Sequence, residues 1–177
     1  MNFPLYLDLL LTLTVVLAAC NDLISRRIPN RLLLLCALCA ICIHLSGLAP
    51  GDALLRALGG AATGFALFLP LYIVRGMAAG DVKLMATVGL FGSAGEAFEL
   101  AVLTVCIGGV MALVVVLWKR RWRDAGANLL SLLRPIWLGL AGVRLAPEPM
   151  PRPSVGSLPY GLAIASATLL LLAQRYC

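Results

Sequence analysis

The sequence predicts an all-α integral membrane protein, with about six transmembrane helices and both termini on the outer side of the membrane. Three observations predict this class: an apolar composition, a series of long apolar segments, and basic residues concentrated in alternate connections. The 177 residues are 62% hydrophobic and only 12% charged, whereas a soluble domain is about half apolar and a quarter charged. Most of the chain is therefore expected in lipid, where a helix satisfies its own backbone hydrogen bonds.

The apolar segments set the expected number of crossings. A transmembrane helix needs about 20 mostly apolar residues, so this chain has room for about six crossings with short connections. The segments run approximately over residues 4–20, 32–48, 53–74, 82–91, 98–118 and 158–173. The fourth segment is short and flanked by glycine. It is expected to continue toward Gly95, or to be a half-helix or a tilted helix.

The basic residues predict the orientation of these helices. Twelve of the 14 lie in or beside the connections that follow the first, third and fifth segments, and only Arg56 and Arg175 lie elsewhere. Because Lys and Arg collect in cytoplasmic loops, these three connections are expected in the cytoplasm. The same pattern accounts for the net charge of +6 without nucleic acid as a partner, since no basic stretch is interleaved with aromatic residues as in a nucleic-acid groove.

The chain is expected to form a single membrane domain over residues 1–177. Its one long loop, at about residues 119–157, is basic and predicted to be cytoplasmic. The apolar middle of this loop predicts either a helix lying flat on the membrane surface or a positively charged loop without fixed structure.

Three of the six cysteines form a C-x-x-C-x-x-C pattern, at Cys36, Cys39 and Cys42. A zinc or iron–sulfur site needs ligands that converge from a loop or from several elements, whereas these three lie inside the second apolar segment. We interpret them as small apolar residues on one side of a membrane helix. Neither a metal site nor a cofactor is expected.

Two aspartates lie at the predicted cytoplasmic ends of apolar segments. Asp22 follows the first segment and Asp81 precedes the fourth. Taken singly, Asp22 can be a solvated loop acid paired with Arg26, and Asp81 can be a helix N-cap. Taken together, they can face each other and share a proton. One carboxylate then activates water while its protonated partner polarises a carbonyl, as in aspartic proteases, and either aspartate can have either role.

The residues around the two aspartates resemble the motifs of the type IV prepilin peptidases, the G-x-G-D membrane aspartyl peptidases. The stretches are D-x-x-x-R-x-I-P-N over residues 22–30 and A-A-G-D-V-K-L over residues 78–84. In addition, P-Y-G at residues 159–161 is similar to the sequence that opens the family's last helix. The resemblance implies catalytic Asp22 and Asp81 and, as supporting motif residues, Pro29, Asn30, Gly80, Lys83 and Tyr160.

The resemblance also implies what the supporting residues do. Pro29 is expected to stiffen the turn into the second helix, and Tyr160 is expected to lie near the site. Lys83 follows Asp81 by two positions, which places it on roughly the opposite face of a helix. An anchoring role near lipid headgroups is therefore expected for Lys83, and not a catalytic one.

The family resemblance implies a function and a location. The expected substrate is a prepilin or pseudopilin whose apolar helix lies in the membrane beside the enzyme, and whose leader is removed at the cytoplasmic face of the bacterial inner membrane. Residues 21–31, the whole first connection, are too short for the zinc domain of longer members. The chain is therefore similar to the short, peptidase-only branch that serves tight-adherence (Flp-type) pili. The oligomeric state stays open.

One position departs from the family pattern, and it keeps two other functions in consideration. Ala78 stands where the first glycine of G-x-G-D is expected. Glycine permits positive φ, so a left-handed conformation at this position would strain the loop, and Ala78→Gly is expected to retain or raise activity. The alternatives are a non-catalytic pilus-assembly scaffold, which Ala78 favours, and a small proton- or cation-coupled transporter that uses Asp22 and Asp81 as relays.

Overall fold

The computed structural model describes residues 3–47, 49–74, 76–118 and 159–176, and this part of the chain is helical. Its six helices are α1 Phe3–Ser25, α2 Asn30–Leu45, α3 Pro50–Ile73, α4 Ala79–Gly89, α5 Ala94–Trp118 and α6 Tyr160–Tyr176. The predicted all-α class is confirmed for these residues. The predicted loop at 119–157 lies outside the described residues.

The chain divides into two compact units. The first comprises Met1–Gly108 and Pro159–Cys177, and the second comprises Gly109–Leu158. Of the second unit, the structure describes residues 109–118, which form the C-terminal part of α5. All contacts discussed below belong to the first unit. The single domain expected over residues 1–177 stays a prediction.

Within the described residues, α1, α3 and α5 are long and apolar enough to cross a membrane, and α2 is a shorter apolar helix. Large apolar side chains such as Leu13, Leu55 and Val110 are exposed on the long helices. Such surfaces suit lipid, because a soluble monomer rarely exposes extended apolar faces. The membrane class is thus supported, while the six crossings and the side of the termini stay predictions.

The prediction that the fourth segment continues toward Gly95 is wrong. α4 has 11 residues and ends at Gly89. Turn hydrogen bonds then close the chain over Leu90–Gly92, and α5 begins at Ala94. At 1.5 Å per residue α4 rises only about 16 Å, roughly half of the ~30 Å hydrocarbon thickness. α4 therefore has the length of the half-helix that the sequence left open.

α4 is largely buried, and α3 covers it so closely that their backbones touch. A Cβ atom added to Gly60 would lie 2.1 Å from the Gly89 carbonyl oxygen, and one added to Gly64 would lie 2.7 Å from that of Met85. Gly60 and Gly64 form a G-x-x-x-G pair, which permits close approach of membrane helices. This packing holds α4, and with it Asp81, firmly against α3.

α6 packs antiparallel against α1 and contacts it at both ends. Asp22 meets Gly161 at the C-terminal end of α1, and Asp8 meets Arg175 near its N-terminal end. The two contacts are equally spaced along both helices, as antiparallel packing in a single register requires. The C-terminal end of α1 therefore meets the start of α6.

Candidate active site

Asp22 is buried in the last turn of α1, with only 7% of its surface exposed. Its Oδ2 atom accepts a hydrogen bond of 2.9 Å from the Gly161 N–H, and the charge of Arg26 acts on the same carboxylate. The apolar run ends at Cys20, but the helix continues to Ser25. The alternative of a solvated loop acid is therefore wrong, although the interaction with Arg26 is present.

Arg26 ends α1 in a left-handed conformation, with φ 54°, and is the one non-glycine residue with positive φ among those described. Its N–H donates to the Asp22 carbonyl oxygen at 3.0 Å. This conformation costs a residue with a side chain about 1–2 kcal/mol. Its occurrence one turn after Asp22 turns the chain sharply toward α2.

Gly161 is a site residue that the sequence analysis quoted in a motif but gave no role. A Cβ atom added to it would lie 2.8 Å from Oδ2 of Asp22 and 3.0 Å from its Cβ. Only glycine lets the backbone N–H reach the carboxylate at hydrogen-bonding distance without such a collision. The signal in the sequence was the P-Y-G motif at the start of the last helix, but nothing there named Asp22 as the partner.

Asp81 lies in the first turn of α4 and is 5% exposed. Its Oδ2 atom accepts a hydrogen bond of 3.2 Å from the Ala78 N–H. The N-cap is Ala78 and not Asp81, so the capping alternative was wrong in position. Ala78 has φ −81° and ψ 153°, an extended conformation that alanine adopts without strain. Alanine in place of the motif glycine at position 78 therefore requires no left-handed backbone conformation.

The two carboxylates interact. The pKa of Asp81 is raised from 3.8 to about 6, first by burial and then by the charge of Asp22, while the hydrogen bond from Ala78 opposes the shift. Because a charge on Asp22 disfavours ionisation of Asp81, the two carboxylates titrate as a coupled pair. The pair brought together from α1 and α4 can therefore supply a base and an acid at one place.

Residues of the first motif touch residues of the second beside this pair. A Cβ atom added to Gly80 would lie 3.5 Å from Cβ of Ile28, so Ile28 lies beside the Gly80 backbone. Lys83 donates a hydrogen bond of 3.2 Å to Oδ1 of Asn30. Pro29 is the N-cap of α2, with φ −64°, in line with its expected place in the turn. Lys83 is exposed while Asp81 is buried, as predicted; its anchoring role stays a prediction.

Tyr160 lies at the start of α6, between α5 and the pair. A Cβ atom added to Gly108 would lie 3.0 Å from Cε1 of the Tyr160 ring. The charge of Asp81 acts on the Tyr160 phenol. Tyr160 is therefore near the site, and the absence of a side chain at Gly108 makes room for its ring. Its role there stays a prediction.

A second acidic cluster, at the opposite end of α1, escaped the sequence analysis. Asp8 is 7% exposed and accepts hydrogen bonds from Arg175 Nη1 at 3.2 Å and from the Tyr176 hydroxyl at 2.6 Å. Arg175 Nη2 also bonds Glu96 Oε1 at 2.6 Å. A cleft of about 210 Å³ between α1 and α6 lies beside Asp8. The signal was an acid inside an apolar segment, which is costly in lipid.

The other candidates for chemistry do not join the Asp22–Asp81 pair. His44 Nε2 lies 2.9 Å from the Leu90 carbonyl oxygen, which ties the end of α2 to the end of α4. Cys36 is buried, whereas Cys39 and Cys42 are exposed, and the interpretation that all three lie on one side of a membrane helix stays a prediction. Within the described ranges, no group of three or more His, Cys, Asp or Glu side chains is placed to hold a metal ion.

Comparison with known proteins gives one match. A family model described as the type IV leader peptidase family matches residues 9–117, a range that includes Asp22, Asp81 and both motif stretches. No curated protein and no solved structure matches the chain.

Proposed function

Because the chain belongs to the type IV leader peptidase family, we propose that it is a membrane aspartyl endopeptidase that removes the leader peptide of prepilin or pseudopilin substrates. The observation that carries the proposal is the pair of buried, interacting carboxylates of Asp22 and Asp81. A peptidase needs a group to activate water and a group to polarise the scissile carbonyl, and a carboxylate pair with one proton supplies both.

In the proposed reaction, the ionised carboxylate takes a proton from water as the water oxygen attacks the carbonyl carbon. The protonated partner donates a hydrogen bond to the carbonyl oxygen, and its proton stabilises the tetrahedral intermediate. The intermediate then collapses, the C–N bond breaks, and the leaving nitrogen takes up the proton that the first carboxylate removed from water, which restores that carboxylate. Water is thereby divided between the new carboxyl end and the new amino end.

The surroundings favour one division of roles. Asp22 accepts the Gly161 N–H, and a hydrogen bond from a backbone amide at a helix start suits an ionised carboxylate. The pKa of Asp81 is raised to about 6, which suits the residue that holds the shared proton. We therefore assign the base to Asp22 and the acid to Asp81.

The proposed substrate has a basic leader, a glycine before the scissile bond and an apolar helix after it. That helix lies in the inner membrane of a bacterium, beside the enzyme, and the scissile bond is at the cytoplasmic boundary. Arg26, Arg27 and Arg31 adjoin the Asp22 end of α1, and basic residues mark the cytoplasmic side. The site is therefore proposed to face the cytoplasm, with both termini on the outer side.

The structure gives little support to the alternative functions. The scaffold hypothesis depended on backbone strain at Ala78, and the extended backbone at Ala78 requires no strain. The transporter hypothesis requires a polar path across the bilayer. Asp8 is a further buried acid on α1, but Arg175 and Tyr176 already hold its oxygens, which disfavours it as a mobile proton relay.

The test is leader cleavage of a co-expressed prepilin, followed by gel shift, for the wild type, Asp22→Asn and Asp81→Asn at matched membrane levels. Cleavage by the wild type and by neither variant is the expected result. Cleavage that survives in both variants would overturn the carboxylate assignment. If the wild type cleaves none of several prepilins, the scaffold and the transporter become the favoured functions.

A further inference from the structure

We propose that Asn30 and Lys83 are positioning residues, which set the spacing of the Asp22 and Asp81 carboxylates by joining the two motif segments. This inference rests on the proposed peptidase function. It concerns residues that do not carry out the chemistry themselves.

The segment after Asp22 touches the segment around Asp81 on both sides of that aspartate. Before it in the chain, Gly80 lies beside Ile28, whose Cβ is 3.5 Å from the position that a Gly80 Cβ would take. After it, Lys83 Nζ donates to Asn30 Oδ1 at 3.2 Å. We call these four residues, Ile28, Asn30, Gly80 and Lys83, the motif bridge.

The motif bridge is connected to Asp22 by a short and constrained stretch of chain. Arg26 has a left-handed backbone, with φ 54°, and Pro29 caps α2 with a fixed φ of −64°. The backbone between Asp22 and Asn30 has limited freedom, in part because the proline ring fixes the φ angle of Pro29. A shift of α4 against Asn30 therefore changes the distance between the two carboxylates.

Both partners of the Asn30–Lys83 hydrogen bond are exposed, so its contribution to stability is small. Its contribution to catalysis is larger, because catalytic rates depend steeply on the placement of reacting groups. A misplacement of about 1 Å can cost ~10²-fold. Loss of an exposed hydrogen bond permits a smaller displacement, and we expect about a tenfold fall in kcat.

The experiment uses the full chain, solubilised in detergent, with a purified prepilin of one apolar helix and a basic leader as substrate. The variants are Lys83→Met, Asn30→Leu and the two combined, with Asn30→Asp as the conservative change. Arg31→Met is the matched control, because it removes an exposed positive charge beside Asn30 from a side chain outside the motif bridge. Initial rates, KM and the thermal midpoint are measured for each.

Both single variants are expected to lose about tenfold in kcat at unchanged KM and thermal midpoint, and the double variant no more than either single one. Asn30→Asp retains an acceptor for Lys83 and is expected to stay within about twofold of the wild type, as is Arg31→Met.

Three results would overturn the proposal: wild-type kcat in Asn30→Leu, losses that multiply in the double variant, or a fall in thermal midpoint that accounts for the loss of rate. A failed peptidase function gives a different result, since the wild type itself then cleaves nothing. If the wild type cleaves, Asp22→Asn does not, and the bridge variants cleave at the wild-type rate, only the positioning role is lost.

Discussion

Two aspartates on α1, Asp8 and Asp22, are equally buried but differ in their surroundings. Each is 7% exposed, and each is contacted by α6, at opposite ends of that helix. They lie about 21 Å apart along the helix axis, from the rise per residue. Asp8 has a cation on one oxygen and a hydroxyl donor on the other.

Asp22 receives a backbone N–H from Gly161 and faces a second carboxylate, that of Asp81. A buried acid whose oxygens are both bonded to fixed donors is held in one state and ties helices together. A buried acid beside a second acid can gain and lose a proton, because repulsion between the two negative charges raises its pKa. Burial alone therefore does not identify a catalytic aspartate; the partner of each carboxylate does.

The largest expected effect separates the two aspartates by the same substitution. Asp22→Asn is expected to lower the cleavage rate by about 10³-fold or more, as for the loss of a member of a catalytic set, with no loss of stability because a repulsive charge is removed. Asp8→Asn is expected to keep its cleavage rate and to lose about 1.5–3 kcal/mol of stability, the range for hydrogen bonds to charged groups. Cleavage rates and thermal unfolding in detergent measure both.

The two variants are controls for each other, because helix, burial and substitution are the same. Loss of cleavage in Asp8→Asn at full membrane level would contradict the division between a structural end and a catalytic end.

Gly161→Ala is expected to give the next largest effect, a fall of about 10²-fold in cleavage. The added methyl would lie 2.8 Å from Oδ2 of Asp22, so the carboxylate must move and lose its N–H donor. The measurement is the cleavage rate at matched enzyme level. Gly109→Ala is a suitable control, since no atom of the described residues lies within 4 Å of the added Cβ there. An active Gly161→Ala enzyme would show that Asp22 does not need this contact.

The pH dependence of cleavage is expected to fall off on the basic side with an apparent pKa of about 6, the raised pKa of Asp81. Above this pH the pair loses the proton that polarises the carbonyl, so the rate drops about tenfold per pH unit. A pH–rate profile over the range in which the enzyme stays folded measures this limb. A rate that stays flat well above this pH would remove Asp81 as the acid.

The free energy of unfolding also depends on pH, because of the same raised pKa of Asp81. Between 3.8 and about 6 the folded protein binds more protons at Asp81 than the unfolded chain does. The free energy of unfolding therefore falls as the pH rises through this window. The contribution is fully present below the lower value and is lost above the upper one. Asp81→Asn is expected to reduce this slope, and Asp8→Asn is expected to keep it.

Tyr176→Phe is expected to have a smaller effect, confined to the structural end. It removes one donor at 2.6 Å from Asp8 and leaves the Arg175 contact in place. The expected loss is about 1 kcal/mol of stability, with unchanged cleavage. Thermal unfolding of Tyr176→Phe beside Tyr6→Phe, an exposed tyrosine on α1, gives the comparison. Equal midpoints in the two variants would mean that the hydroxyl adds nothing to the cluster.

Ala78→Gly is expected to have the smallest effect, within about twofold of the wild-type cleavage rate. The backbone at Ala78 is extended, with φ −81°, and its N–H remains available to Asp81 in glycine. Cleavage and membrane level are measured together. A large gain or loss would mean that the turn before α4 changes shape during catalysis.

Much of the fold was predictable because its signals are local. Apolar runs gave helices α1 to α6 their approximate positions, since each helix satisfies its hydrogen bonds within its own segment. The errors lie at polar ends: α1 runs on past Cys20 to Ser25, and α4 stops at Gly89. At these ends, composition does not determine where a helix stops, and contacts with other helices do.

The membrane class, the two aspartates and the motif segments around them could be predicted, because composition, charge order and residue spacing are properties of neighbouring residues. The partner of each polar group instead depends on how the helices pack. Asp22 bonds Gly161 and Asp8 bonds Arg175, and Asn30 bonds Lys83. These partners are far apart in the chain and meet because helices pack in one register. No local pattern encodes that register, since it depends on which small residues let two backbones approach, as Gly60 and Gly89 do.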